Sequence, residues 1–382
     1  MEIKNSKELK KYNRYIILNQ IIERQPISRT ELAEILNVSH TTISQLVKEL
    51  IEEDLVVESY TKSTGGRPPK ILSFKGYNKY IITLSFKETV ISLAIFDLNF
   101  KLLHAEKINV KDNELTGLIE VIGDVLERLI LEKKIKKKQI LAMGISVPGI
   151  YKDNQDLIIS STAPYLNGQS LMKKIKNKVD FCPVFIQNDA NIAVHYEWNY
   201  MLKKRYDNLI FIYIGDGIGS GIIIGNKLYS GSHGNAGELG HMQVKSTGKR
   251  CICGGTGCLE MLSSIKAIEN EFKEKVYFTI DEIIKGYLSG EEKCKRVIDR
   301  AVKYFARALS SMVSFFDPEI IILGDFHNLY RGKIKDKLEE EMKKSHIFCV
   351  EDRPELILRN DRGDYQFSAL YIYVFEHWKK EI

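Results

Sequence analysis

Cys251, Cys253 and Cys258 place three thiols within eight residues of a glycine-rich run, and His241 precedes the first of them by ten. Thiolates and an imidazole are strong metal donors, so the clustering is a metal-binding pattern. A Cys3His set is a closed tetrahedral site for zinc. With protein filling all four positions, the ion would be structural rather than catalytic. Glycines between the cysteines let the backbone fold tightly around an ion. The competing reading is a group of buried free cysteines. Cys182, Cys294 and Cys349 stand alone and read as core residues.

These donors need elements to hold them. Residues 79–98 are mostly apolar and β-branched with a break at Lys87-Glu88, which predicts a hairpin, and 101–110 offers a third strand. A helical period runs from Leu115 to Leu131. Buried strands are expected at 140–148, ending in a loop at Pro148, and at 184–187, ending at Asn188-Asp189-Ala190-Asn191 before a helix. A second series opens at 208–215, and a late strand at 319–324 follows a helix over 301–316. Strands followed by alternating helices and strands, twice over, imply a duplicated α/β architecture. Such folds bind ligands at the carboxyl ends of strands, often between lobes.

The first seventy residues have a different character. Tyr15, Ile16, Leu18, Ile21 and Ile22 recur at helical spacing over 12–24, and Pro26 breaks that helix. Ser28 and Glu31 form a capping box for a second helix with Leu32, Ala33 and Leu36 as its apolar stripe. Asn37-Val38 turns the chain, and Ser39 starts a third helix through Leu46, Val47, Leu50 and Ile51. Two helices joined by a tight turn form a helix-turn-helix. Ser39, His40, Thr41, Thr42 and Gln45, at the front of the second, are hydrogen-bonding types able to meet base edges or phosphates. A strand at 55–59, a polar turn at 61–66 and a strand from Arg67 to Leu72 complete a wing. Gly66-Arg67-Pro68 puts a guanidinium on a stiff backbone that can enter a narrow minor groove, although the same stretch also suits a linker. Residues 1–75 hold 12 Lys+Arg against 10 Asp+Glu, a balance of only +2. Specific DNA binding would rest on dimerisation and a few placed cations.

Composition sets the outer bounds. At 382 residues, 44% hydrophobic and 28% charged, the chain is an ordinary globular one of two or three domains. The polar start, Met1 to Lys11, has no leader pattern, and no apolar stretch reaches the ~18 residues of a membrane span. A cytoplasmic protein without membrane insertion is expected, so six cysteines are not a disulfide framework. The net charge of +6 is too mild to indicate nucleic-acid binding alone, and Lys133 to Lys138 reads as a solvated helix end.

Four segments together resemble the ROK family of repressors and sugar kinases: Gln187-Asn188-Asp189-Ala190-Asn191, the glycine-rich run Gly215 to Gly221, Gly237-Glu238-Leu239-Gly240-His241, and Cys251 through Glu260. Their order and spacing carry the resemblance, which extends over nearly the whole chain, winged helix included. It implies an α/β actin-like, hexokinase-like (ribonuclease H-like, duplicated) sugar-kinase fold behind an N-terminal winged helix-turn-helix. It implies zinc at His241, Cys251, Cys253 and Cys258. It also implies sugar binding at Asn188, Asp189, Glu238, His241 and Glu260, with Asp189 matching the kinase general base. The domains expected are 1–73 for the DNA-binding module, 74–190 completed by 364–382 for the first lobe, and 191–363 for the second lobe with the zinc site.

The kinase pattern fails in places. ROK kinases carry an Asp-x-Gly-Gly-Thr phosphate hairpin, and the matching stretch here is Ser85-Phe86-Lys87-Glu88-Thr89. Glycine there lets backbone N–H groups approach phosphate, and Glu88 would repel it. Asp216 stands where the family prefers Thr, Leu323-Gly324-Asp325-Phe326 lacks the extra glycines, and Arg362 to Phe367 brings large residues where small ones are expected. The expectation is a non-enzyme in which Asp189 is vestigial. It would be a repressor of carbohydrate-utilisation genes tuned on operator DNA by a monosaccharide between the lobes. The effector would be xylose, glucose or a similar sugar, and the assembly a homodimer or dimer of dimers. The alternatives are an ATP-dependent sugar kinase with a DNA-binding head, and a regulator controlled by a protein partner.

Overall fold

The computed structural model describes residues 6–60, 70–110, 114–272, 279–324, 327–344, 354–359 and 365–382. Two compact units divide the chain. One comprises Met1–Ser146, Ala163–Ile186 and Tyr371–Ile382, and the other Val147–Thr162 and Gln187–Leu370.

The first unit begins with the winged helix. Helices α1 (Ser6–Arg24), α2 (Arg29–Leu36) and α3 (His40–Glu52) precede the antiparallel strands β1 (Val56–Tyr60) and β2 (Lys70–Phe74). The capping box forms: Ser28 Oγ accepts from the Glu31 amide at 3.2 Å, and Glu31 Oε2 accepts from the Ser28 amide at 2.7 Å. Those bonds hold the Glu31 carboxyl below its usual range. Asn37 closes α2 in the left-handed conformation, which an Asn tolerates better than most residues. Ile17, Leu18, Ile21, Leu32, Ile43, Leu46, Val47 and Leu50 on the helices' apolar stripes and Leu72 of β2 are all buried, each contributing about 1.5–3 kcal/mol. Ile27 and Leu72 exchange both backbone hydrogen bonds, which ties the start of α2 to the wing. Helix α1 begins six residues before the apolar period does, because its first turns are polar and largely exposed. The stretch 61–69, with Arg67, lies outside the described residues.

The lobe that follows is a five-stranded sheet in the order β5-β4-β3-β6-β9. β3 (Tyr80–Phe86), β4 (Val90–Asp97) and β5 (Leu102–Asn109) form an antiparallel meander. Helix α4 (Leu115–Glu132) crosses to β6 (Ile140–Val147), which runs parallel to β3. A small hairpin, β7 (Ile150–Lys152) and β8 (Leu157–Ser160), and helix α5 (Leu171–Lys176) precede β9 (Val184–Asn188).

The second sheet repeats the plan in the order β12-β11-β10-β13-β14. After α6 (Asp189–Tyr196) and a π-turn over Glu197–Met201 comes another antiparallel meander: β10 (Leu209–Ile214), β11 (Ile218–Ile224) and β12 (Lys227–Leu228). Short helices α7 (Glu260–Ser263) and α8 (Ile265–Glu269) lead to α9 (Ile280–Ser289) and the long α10 (Glu292–Phe316). β13 (Ile320–Gly324) joins β10 in parallel, and after α11 (Lys333–Lys343) β14 (Glu355–Arg359) joins β13 in parallel. α10 starts nine residues before the predicted 301 because Cys294, Val297 and Ile298 continue its buried stripe. The last element, α12 (Tyr365–Glu381), starts in the second unit and ends in the first. Asp325, Phe326, Cys349 and Arg362 to Asp364 lie outside the described residues.

Candidate functional site

The second unit gathers three of the segments singled out in the sequence around the N-terminus of α6. Asn188 caps that helix: its Oδ1 accepts from the amides of Ala190 (2.8 Å) and Asn191 (3.2 Å). Its Nδ2 donates to the Gly149 carbonyl at 2.8 Å, which leaves one amide N–H for a ligand. Asp189 Oδ1 accepts from the Ala190 amide at 2.9 Å, and the residue is half-buried. β11 passes so close to α6 that a side chain on Gly221 would collide with the Ala190 carbonyl and Val194.

Glu238 and Glu260 approach from the other side. Gly237 takes φ +89°, and a Cβ there would strike the Ser220 carbonyl, so the turn that presents Glu238 requires glycine. Glu260 opens α7 and its Oε2 accepts from the Ile218 amide at 3.1 Å, fastening it to the glycine-rich turn. A Cβ on Gly217 would lie 2.6 Å from that same oxygen. Burial pushes the Glu238 carboxyl up to about 7, and the like charges of Asp189 and Glu260 add to the effect. Three carboxylates converging in partial burial form an acceptor-rich surface suited to a ligand that donates several O–H groups. His241 completes it, its Nε2 lying 3.9 Å from Glu238 Oε2.

The opposite edge of the His241 ring faces the cysteines. Nδ1 is 3.4 Å from Cys251 Sγ, and Cys253 Sγ is 3.6 Å from Cys258 Sγ. All four donor atoms lie within 4.8 Å of one another, so this cluster could hold a metal ion. The loop is pinned by backbone bonds from Cys251 to the Gly255 carbonyl and from Val244 to the Gly257 carbonyl. Gly257, at φ +71°, abuts the Lys245 carbonyl and tolerates no side chain.

In the first unit, the front of α3 divides into two sets of residues. Ser39 is the N-cap, accepting from the Thr42 amide at 3.2 Å, and its hydroxyl shares a 2.8 Å bond with that of Thr42. These two side chains are spent on building the helix end. His40, Thr41 and Gln45 are exposed, and so are Ser44 and Lys48. Sequence reasoning passed over the last two, although the i, i+3, i+4, i+7 spacing from Thr41 places them on one face. Arg29 braces this face, donating to the Ser44 carbonyl (3.0 Å) and to Glu58 of β1 (2.9 Å). Gly149 was also missed. Its signal is the Pro148-Gly149 pair after a buried strand, and its φ of +116° aims the carbonyl that Asn188 uses.

At the β3–β4 turn, Ser85 is 1% exposed and pairs with Ser92 and Ser146 across the sheet. The Lys87 amide donates to the Val90 carbonyl at 3.0 Å, closing the turn, and the Lys87 carbonyl accepts from Tyr165 OH at 2.5 Å.

A model of the ROK family matches residues 82–353, and a model of the MarR family matches residues 11–63. The xylose repressor of Caldicellulosiruptor bescii is 30% identical over 350 residues, covering 87% of this chain and 87% of that one. Among solved structures, a ROK family transcriptional regulator described as a homologue of the E. coli MLC protein superposes with a TM-score of 0.84 at 22% identity, over 98% of this chain and 97% of that one. The ROK hexokinase of Thermus thermophilus superposes with a TM-score of 0.64 at 24% identity, over 77% of this chain and 98% of the hexokinase. The fold is therefore the sugar-kinase-like one expected from the sequence, preceded by a MarR-like winged helix.

Proposed function

The chain belongs to the ROK family, and from that premise we propose that it is a sugar-responsive transcriptional repressor. The observation that carries the reading is the joining, in one chain, of a winged-helix module to a cluster of polar side chains in which Asp189, Glu260 and His241 gather around Glu238 beside Asn188. A monosaccharide offers adjacent hydroxyls, whose donors suit the three carboxylates. The name of the Caldicellulosiruptor relative makes xylose the first candidate, with glucose next. Sugar changes operator affinity to the extent that it binds two conformations of the protein unequally. His40, Thr41 and Gln45 read the major groove, helped by Ser39 and Thr42, which set the helix end, and by Arg67, which lies outside the described residues. The weak net charge of the module favours two copies on two half-sites, as a homodimer or dimer of dimers. Residues 1–73, 74–190 with 364–382, and 191–363 act as the DNA-binding module and the two lobes. The protein works in the cytoplasm, and among the described residues no helix is long and apolar enough to cross a membrane.

Zinc is the metal that suits the cluster of His241, Cys251, Cys253 and Cys258. Ligand bonds of about 2.3 Å to sulfur and 2.0–2.1 Å to nitrogen give tetrahedral edges of about 3.8 Å between sulfurs and 3.5 Å between sulfur and nitrogen. The separations of 3.6 and 3.4 Å are close to these. His241, Cys251, Cys253 and Cys258 would hold a zinc ion, which would supply a structural crosslink between them. The chain's own contribution is to hold His241 so that its other edge faces Glu238, and to anchor the loop that leads into Glu260.

No phosphoryl transfer is expected. Ser85, Lys87 and Glu88 replace the acid and the two glycines that a phosphate-cradling hairpin needs, leaving Asp189 a base without a reaction. The retained Asp189 favours a sugar kinase, and a coupled ATP assay tests that alternative. The repressor reading is tested by a gel shift with the gene's own upstream DNA at fixed salt, with and without D-xylose, D-glucose or N-acetyl-D-glucosamine. A complex released by one sugar is the expected result. A complex indifferent to all three would point to control by a protein partner.

A further inference from the structure

We propose that Cys253 and Cys258 are a peroxide-sensitive pair, a modification site whose oxidation to a disulfide dismantles the four-donor cluster and loosens the loop before Glu260. Its effect on sugar binding rests on the sugar-responsive reading above. Exposure separates the three cysteines of the loop, which lies wholly within the second unit. Cys253 is exposed, whereas Cys251 is 4% exposed and Cys258 is fully buried. A dissolved oxidant therefore meets Cys253 first. Cys182 and Cys294 are buried as well.

Cys258 is placed to complete the reaction. Its Sγ lies 3.6 Å from that of Cys253. A disulfide bond is about 2.05 Å long, so the two sulfurs must close by about 1.5 Å. The segment between them, Gly254-Gly255-Thr256-Gly257, is mostly glycine and permits that movement. A Cβ on Gly255 would sit 3.5 Å from both sulfurs. The two thiols thus meet over a bare Cα, with no side chain to hold them apart. Cys251 is engaged differently: its Sγ lies 3.4 Å from His241 Nδ1, and its amide donates to the Gly255 carbonyl at 2.8 Å.

The chemistry balances with hydrogen peroxide as oxidant. The Cys253 thiolate attacks one peroxide oxygen. The S–O bond forms, the O–O bond breaks, and the departing hydroxide takes a proton to become water. The Cys258 thiolate then attacks the sulfenic sulfur of Cys253. The S–S bond forms, the S–O bond breaks, and a second hydroxide takes a proton and leaves as water. Two thiolates, one peroxide and two protons give one disulfide and two waters; each sulfur loses one electron and the peroxide gains both. An added dithiol reverses the bond by exchange. Oxidation leaves only Cys251 and His241 as donors, too few for a closed tetrahedral set. The loss reaches the pocket through the backbone. The Leu259 amide donates to the Met242 carbonyl at 2.9 Å, which joins the residue before Glu260 to the residue after His241. A displaced Cys258 therefore disturbs both pocket side chains.

The test uses the full chain, reduced and loaded with zinc, before and after treatment with a few equivalents of hydrogen peroxide. A chromogenic chelator reads released zinc, and calorimetry reads affinity for D-xylose, D-glucose and N-acetyl-D-glucosamine. Free thiols are alkylated, and fragmentation of the tryptic peptide 251–266 locates the bond. The expected result is loss of the mass of two hydrogen atoms, a disulfide between Cys253 and Cys258 with the label on Cys251, and release of the zinc. Affinity for the sugar that the reduced chain binds should fall roughly 5- to 150-fold, the usual range of coupling between linked sites. Dithiothreitol followed by zinc should restore it, which separates this bond from methionine oxidation. A bond that joins Cys251 instead, or sulfur carried only to sulfinic or sulfonic acid, overturns the site. A disulfide formed with sugar affinity unchanged overturns its link to the pocket. A reduced chain that binds none of the three sugars overturns the sugar-responsive reading, and one that takes up no zinc overturns the metal reading. In both of those cases the peptide map still decides whether Cys253 and Cys258 are the oxidised pair.

Discussion

Replacing Gly217 with alanine adds one methyl group and probes the pocket without touching a charged residue. The new Cβ would sit 2.6 Å from Glu260 Oε2, well inside the contact distance of carbon and oxygen. That oxygen, at the far end of a flexible side chain, also accepts from the Ile218 amide at 3.1 Å, so moving it aside strains or breaks that bond. A hydrogen bond to a charged group contributes about 1.5–3 kcal/mol. Removing glycine's backbone freedom returns about 0.4–1 kcal/mol where the conformation suits alanine. The net cost to folding is then about 1–2 kcal/mol. Sugar affinity should fall by about 10- to 150-fold, the equivalent of the lost carboxylate contact. Calorimetry with the releasing sugar reads this directly, and a gel shift should show sugar-free operator binding intact. Gly117→Ala is the control. It lies on α4 with open space where its Cβ would go, so it should leave sugar binding unchanged. Wild-type sugar affinity in Gly217→Ala would refute the idea that the Glu260 carboxylate, held by the Ile218 amide, forms part of the pocket.

Native mass spectrometry should find one zinc ion per chain, and Cys258→Ser should lose it together with much of the sugar affinity. Stoichiometric metal in that variant would rule out the four-donor site. On α3, Lys48→Ala should weaken binding to all DNA sequences alike and reduce the salt slope by about 1. Gln45→Ala should cost about 1–3 kcal/mol on the operator and relax base preference at one position. The assignment of this face fails if fluorescence anisotropy over a salt series shows neither change.

Much of the architecture could be read locally. The capping box at Ser28 and Glu31, the apolar stripe of α3 and the β-branched runs of β3, β10 and β13 each depend on neighbours a few residues apart, where backbone geometry sets which side chains meet. The His/Cys cluster that could hold a metal was legible for the same reason, since three of its four residues share one short loop. Boundaries were less legible where polar turns extend a helix, as at the start of α1. Within the pocket, residue types were readable and their employment was not. Asn188 spends most of its bonding capacity capping α6 and holding Gly149, and in the winged helix Ser39 caps α3 while its hydroxyl bonds that of Thr42.

The sequence alone determined the family, a winged-helix module ahead of a kinase-like fold, and a His/Cys cluster that could hold a metal ion, because those are properties of residue types and short spacings. Tertiary structure decided the partners. It set Glu260 against the Ile218 amide, 42 residues away, and Lys379 of α12 against Asn19 of α1, 360 residues away. No local pattern encodes such pairs, since they exist only once distant segments are packed together and a buried charge must find its partner in whatever element lies alongside.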